Sequence, residues 1–169
     1  MITPAHAHLM ATYNQWMNQK LYGLCAALTD EQRKSDQKAF FKSIHGTLNH
    51  ILLGDKVWLG RFTGHPFLVK SLDQILYDNF DELRHERELT DARIMHWTME
   101  LNDLQLANDL VFHSITKSGR RRCSLWIAVT HYFNHQTHHR GQLTTLLHQL
   151  GIDPGVTDMI AMHGVVMSD

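Results

Sequence analysis

Between Ser124 and Leu150 the chain reads as one long helix, and its middle turns carry more histidine than packing alone would ask for. Ser124 supplies an N-cap residue type, and Gly151 followed by Pro154 supplies the stop. Ile127, Ala128, Phe133, Leu143, Leu146, Leu147 and Leu150 keep roughly helical spacing on either side of the histidines. His131, His135 and His139 are each four residues apart, so they run along one side of the helix and drift by about 40° per step. A histidine pair at i and i+4 aims two imidazoles at one spot, the spacing by which a helix offers two ligands to one metal ion. The residue after His135 is Gln136 rather than Glu, so the metal reading survives while the general base of a His-Glu-x-x-His protease is missing. With 14 histidines in 169 residues, a chance pair at this spacing is expected. Spacing therefore leaves open which of the overlapping pairs 131/135 and 135/139 binds, and His131 and His138 read equally well as surface or packing residues. A third ligand has to come from elsewhere in the chain.

The length fits a single domain over residues 1–169 with a substantial core, since a chain of about 150 residues buries roughly 70% of its unfolded surface. A formal net charge of -1 gives no long-range field for nucleic acid or anionic lipid, so neither direct nucleic-acid binding nor membrane binding is expected. The basic run Arg120-Arg121-Arg122, beside Gly119, reads as a solvated turn edge. No apolar run approaches the ~20 residues needed to cross a bilayer, and the start of the chain lacks a basic flank followed by an apolar core. The expectation is a cytoplasmic protein. Cys25 and Cys123 are too few for a disulfide framework, and Cys25, beside Ala26 and Ala27, reads as a buried free thiol.

Taken in order, the chain opens with a helix from Ala5 to Leu28, in which Leu9, Tyr13, Trp16, Met17, Leu21, Leu24 and Leu28 recur at three and four, with Pro4 suited to the first turn. Asn14 and Asn18 lie four apart and face either a polar pocket or the solvent edge of an aromatic stripe. A short helix begins at Thr29, followed by a surface connection through Lys38. The second long helix runs from Ser43 to Phe62 and ends near Gly64, with Ile44, Leu48, Ile51, Leu52, Trp58, Leu59 and Phe62 toward the core. Gly46 and Gly54 flank His50 on this helix. Each costs about 1 kcal/mol relative to alanine, so space is wanted there, for a ligand or for a neighbouring helix. Asp55 is the nearest carboxylate and a candidate to orient a ligand histidine or act as a base. Ser71 to Tyr77 reads as a helical lead-in to a third long helix over Asn79 to Leu101, whose charged run Asp81, Glu82, Arg84, Glu86, Arg87 and Glu88 reads as a solvated face. Leu110 to Ser124 alternates around a Lys117-Ser118-Gly119 turn and predicts a small hairpin with His113 on its surface. After the last helix, turn residues lead into a loop or frayed tail to Asp169.

Four long amphipathic segments and one hairpin predict an all-α four-helix bundle, an architecture that builds metal sites from facing helices. His50, near the middle of its helix with small neighbours, is the third-ligand candidate. Three imidazoles leave a coordination position open, the pattern of a catalytic rather than a structural ion. The sequence resembles the DinB family, the DinB/YfiT-like bacterial four-helix metalloenzymes, over essentially its whole length. The resemblance rests on Tyr13-Asn14-Gln15-Trp16, on Phe40-Phe41-Lys42-Ser43-Ile44-His45-Gly46-Thr47-Leu48-Asn49-His50, and most specifically on His135-Gln-Thr-His-His-Arg-Gly-Gln-Leu143. It implies that His50, His135 and His139 hold one divalent transition metal, nickel or zinc, which selects 135/139 over 131/135. It also implies that a low-molecular-weight thiol is a cofactor candidate for transferase or isomerase chemistry, and that the protein is a homodimer.

Two functional classes follow. One is a metal-dependent enzyme, a transferase, isomerase or hydrolase, with Asp55, Asn14 and Asn49 as candidates for contacts behind the ligands or to a small-molecule substrate. The other is a non-catalytic stress-response protein that binds metal or a partner, in which His131 or Asp55 closes the coordination sphere.

Overall fold

A computed structural model of the chain describes residues 1–115 and 119–165. Four long helices make the body: α1 (Pro4–Ala26), α3 (Ile44–Thr63), α4 (Phe80–Glu100) and α6 (Leu125–Gln149), with short α2 (Asp30–Lys34) after the first and short α5 (Asp103–Ala107) after the third. A two-stranded antiparallel hairpin, β1 (Asp109–His113) and β2 (Arg120–Ser124), precedes α6 and pairs Leu110 with Cys123 and Phe112 with Arg121. The Lys117-Ser118 part of the predicted turn and the last residues of the predicted tail lie outside the described residues. The short helix α5, begun by a capping box between Asn102 and Gln105, is an element the sequence reading did not contain.

Local chemistry sets the helix ends. Thr3 caps α1 by accepting from the His6 amide at 3.1 Å, with Pro4 in the first turn. Ser43 caps α3 through the Gly46 amide at 3.0 Å, and Gly64 ends that helix with φ 77°, a conformation glycine adopts without strain. Asn79 caps two amides of α4, with Asp81 and Glu82 favourably placed against the helix dipole. Ser124 stands at the cap position of α6, but its side chain makes no cap bond. The hairpin supplies the entry instead, the Leu125 amide donating to the Asn108 carbonyl at 2.8 Å.

Each long helix packs chiefly on two others: α1 on α4 and α6, and α3 on the same pair. Helices α3 and α6 are thus direct neighbours although α4 lies between them in sequence. The core divides into two apolar clusters, one containing Met17, Leu21, Leu48, Leu52, Leu83 and Leu147, the other Ala11, Ile94, Trp97, Leu106, Val129 and Phe133. Along every helix the change from one cluster to the other passes through buried polar residues: Asn14 and Asn18 on α1, Asp55 on α3, Arg87 and Asp91 on α4, Gln136 and Arg140 on α6. Arg87 pairs with Asp55, and its other terminal nitrogen stands 2.9 Å from Asp91. Asn18 donates to Asp91 at 2.9 Å and Asn14 at 3.3 Å, while Arg140 donates to the Asn14 side-chain carbonyl.

This polar layer corrects one sequence expectation and decides another that spacing leaves open. Arg87 is 2% exposed rather than part of a solvated face. Asn14 and Asn18 face a buried carboxylate rather than the solvent edge. Burial works against the charge on Arg87, but the carboxylates of Asp91 and Asp55 outweigh it and keep the guanidinium firmly protonated. The tail is also more than a frayed end. It forms a 3-10 turn at Met159–Ala161, buries Met162, and accepts a 2.7 Å bond from the Tyr13 hydroxyl to the Thr157 carbonyl.

Removing one partner from a buried ion cluster strands the others. Arg87→Ala leaves Asp55 and Asp91 buried without their cation and is expected to lower unfolding free energy by about 3–5 kcal/mol. Urea denaturation of the purified variant checks this, and a loss under about 1 kcal/mol would remove the layer from any role in stability.

Candidate metal centre

The three expected histidines meet at the α3–α6 contact. His50 projects from α3, and His135 and His139 from successive turns of α6. Nε2 of His139 lies 3.1 Å from Nε2 of His50 and 3.1 Å from Nε2 of His135, and the group's ligand atoms all lie within 4.8 Å of one another. Nitrogens that share one ion at 2.0–2.1 Å with tetrahedral angles would stand about 3.3 Å apart, so the spacing fits a common cation.

The outer ring atoms decide what lies between the inner ones. Nδ1 of His50 is 2.8 Å from the Leu72 carbonyl, which can only accept, so this nitrogen carries the proton and Nε2 is a bare lone pair. Nδ1 of His139 is 2.8 Å from Oε1 of Gln142, whose amide nitrogen reaches His138 Nε2 at 3.2 Å, which gives His139 the same tautomer. Burial lowers the pKa of all three rings, to about 4 for His50 and about 3 for His135. Two neutral imidazoles thus aim lone pairs at each other across 3.1 Å with no proton between them near neutral pH. Convergent lone pairs of this kind are a donor set that could hold a divalent cation.

Small residues and aromatic packing hold this geometry. A Cβ on Gly54 would stand 3.0 Å from Cε1 of His135, so the glycine makes room for that ring against α3. A Cβ on Gly46 would meet the Phe41 carbonyl at 2.2 Å. The close approach lets the Phe41 ring stack on His50, with centroids 3.8 Å apart and planes at 17°, and meet His139 edge-on at 5.5 Å. The chain reaches that position through a tight bridge, Ala39 to Lys42, with Lys38 and Lys42 at positive φ.

The segment Ser71–Tyr77, expected as helix, is irregular because α3 takes up its backbone groups. Oδ1 of Asn49 accepts from the Leu76 and Tyr77 amides at 2.8 and 3.0 Å, and its Nδ2 donates to the Tyr77 carbonyl at 3.1 Å. His45 Nε2 also meets the Tyr77 carbonyl, at 2.9 Å. This clamp brings the Leu72 carbonyl to His50, which places Asn49 behind the histidine cluster.

Other expected candidates fall elsewhere. Asp55 is fully buried against Arg87, away from the cavity lining. Asn14 belongs to the same polar layer. His131 stays out of the cluster, its ring centroid 6.0 Å from that of His135 and 5.1 Å from Trp58, and His138 is exposed. Three residues that build the site were given no role by the sequence reading. Gln142 carried a signal, three residues beyond His139 on the same face. The Phe41 ring and the Leu72 carbonyl carried none that one sequence displays.

A cavity of about 530 Å³ opens from this corner. One wall is the α3 stripe His50, Gly54, Val57 and Arg61, and the facing wall is Ile127, His131 and His135 of α6. Phe112 and Cys123 of the hairpin roof it. The size suits a small organic molecule, and the lining contains no Asp or Glu among the described residues.

Fold and site together define a class of protein, a helical bundle that brings three neutral imidazoles to one point beside an open apolar cavity. The chain belongs to the DinB family, whose family model matches residues 1–165. It is 26% identical over 155 residues to the protein DinB of Bacillus subtilis (strain 168), covering 86% of this chain and 87% of that one. A crystal structure of a DinB-like protein from Bacillus cereus ATCC 10987 shares the fold with a TM-score of 0.62 at 23% identity, over 86% of this chain and 91% of that one. YfiT from Bacillus subtilis, described as a probable metal-dependent hydrolase with an unusual four-helix bundle topology, superposes with a TM-score of 0.66 at 14% identity, over 90% of this chain and 92% of that one. No helix among the described residues is long and apolar enough to cross a membrane.

The depressed histidine pKa values set a pH dependence. In the unfolded chain each ring titrates near 6.5, whereas in the fold His50 and His135 titrate near 4 and 3. Below about pH 6.5 the unfolded chain therefore binds more protons, and stability falls as the pH drops toward 4. Metal-free protein is expected to lose more of its urea midpoint between pH 7.5 and pH 5 than His135→Gln does; parallel losses would contradict the assignment.

Proposed function

We propose that the protein is a metal-dependent enzyme that holds one divalent transition metal, nickel or zinc, through His50, His135 and His139. The carrying observation is the pair of bare Nε2 lone pairs of His50 and His139, fixed by outer hydrogen bonds and facing each other at 3.1 Å. An ion in that corner supplies a Lewis-acid position where a weak acid loses its proton near neutral pH. The chain's own residues supply the rest. Leu72 and Gln142 fix the tautomers, Phe41 stacks on His50, and the cavity receives an organic molecule beside His50 and His135.

The finer reading is S-transfer or isomerisation with a low-molecular-weight thiol. Histidine ligands give a borderline site that favours a thiolate once one is offered. The chain has no activated thiol to offer in its place: burial pushes Cys25 up to about 12, and burial also raises Cys123 at the cavity roof. A second reading, hydrolysis, draws on the likeness to YfiT. It is less favoured because no carboxylate lines the cavity, among the described residues, to serve as a base toward water. A non-catalytic role with a closed coordination sphere is disfavoured because Asp55 is committed to Arg87 and His131 stands apart.

His139→Ala removes the ligand shared by both short nitrogen contacts and is expected to lower bound metal at least tenfold, with a helical spectrum unchanged. Cobalt-loaded wild type titrated with small thiols is expected to develop a sulfur-to-metal absorption band. Full metal retention by the variant would contradict the ligand set, and the absence of any thiol band would move the reaction to hydrolysis.

A further inference from the structure

The cavity has a second polar feature, about 16 Å from His50 along the α3 axis. Arg61 lies 11 residues on, three turns and about 20°, so it continues the stripe of His50, Gly54 and Val57 and lines the same cavity at its other end. With His50, His131 and His135 neutral, Arg61 is the one charged side chain among the described lining residues.

Its surroundings hold it in place without neutralising it. The guanidinium carbon stands 4.4 Å from the Trp58 ring centroid and 4.7 Å from that of Phe112, an aromatic platform shared between α3 and the hairpin. One terminal nitrogen donates to the His113 carbonyl at 3.0 Å. None of the described ion pairs includes Arg61, and burial lowers its pKa while leaving it charged. A guanidinium has five N–H donors in a planar fork that matches an oxyanion. The position in the last turn of α3 suits a cation, but a helix terminus alone does not require the aromatic platform or the place in the cavity wall.

We propose that Arg61 anchors an oxyanion, a carboxylate or phosphate, at the far end of a substrate whose apolar body fills the cavity and whose reacting end reaches the three histidines. The orientation of the substrate rests on the proposed metal function; the anion site does not. Arg61 is thereby a positioning and specificity residue, selecting acidic over neutral molecules of the same length.

The test uses the full-length metal-loaded protein, with N-phenyl-1-naphthylamine as a fluorescent cavity probe displaced by octanoate, octyl phosphate or 1-octanol. Wild type is expected to bind at least one anion about tenfold or more tightly than 1-octanol, and the tighter anion names the oxyanion. Arg61→Gln is expected to bring the anions to within about twofold of the alcohol while leaving the alcohol unchanged, with Arg61→Lys retaining part of the preference. If Arg61→Gln also loses the alcohol, Arg61→Lys decides: a retained anion preference supports the anchor and a lost one overturns it. No preference in wild type, or full preference in Arg61→Gln, overturns it too. Repeating the titration after chelation separates the two proposals. A preference carried by Arg61 persists without metal, whereas one that vanishes with the metal and survives Arg61→Gln belongs to the ion and overturns the anchor alone.

Discussion

The arrangement depends on a buried cation with two carboxylates. Arg87 of α4 reaches Asp55 of α3 and Asp91 of its own helix, and through Asn14 and Asn18 the cluster extends to α1 and to Arg140 of α6. Apolar contacts alone tolerate small slips of one helix along another. A buried charge without its partner does not, because its desolvation is then uncompensated. The layer therefore fixes the axial register of all four long helices at one level, between two apolar clusters. His50 and Asp55 share α3, and His135 and His139 bracket Gln136 and approach Arg140 on α6. The register that pairs the charges also brings the imidazoles opposite one another.

At the histidine corner the outer hydrogen bonds decide which ring nitrogens face one another. Ordinary buried histidines point a donor at an acceptor, whereas here the outer nitrogens are satisfied by Leu72 and Gln142 and the inner lone pairs converge. In the proposed metal centre those outer hydrogen bonds orient the rings before a cation arrives. The cavity adds direction. It begins at His50 and His135 and ends at Arg61, with apolar walls between, which makes it a slot with two chemically distinct ends.

Much of this was legible in the sequence, for local reasons. The four long helices announce themselves through apolar periodicity and through caps such as Ser43 and Asn79, and the hairpin through its alternation. The i, i+4 histidines and the glycines around His50 pointed to the site, and Gly54 proves to serve the His135 ring itself. Choosing 135/139 over 131/135 needed the family resemblance, since spacing treats the pairs alike. What stayed hidden was nonlocal. Arg87 looks like its charged neighbours until α1 and α3 close over it, and the Ser71–Tyr77 segment has helical composition but finds its hydrogen-bond partners on Asn49 and His45 rather than within itself. The Leu72 carbonyl and the Phe41 ring act through tertiary position, which no pattern in one chain encodes.

The most direct measurement is metal analysis of protein purified without an affinity tag, combined with X-ray absorption at the edge of whatever ion is found. The expected result is about one equivalent of a divalent transition metal with imidazole nitrogens at about 2.0–2.1 Å, lost when His139 is replaced by Ala. A folded protein that neither carries nor takes up such an ion, or one whose ion lacks histidine ligands, would contradict the three-imidazole centre.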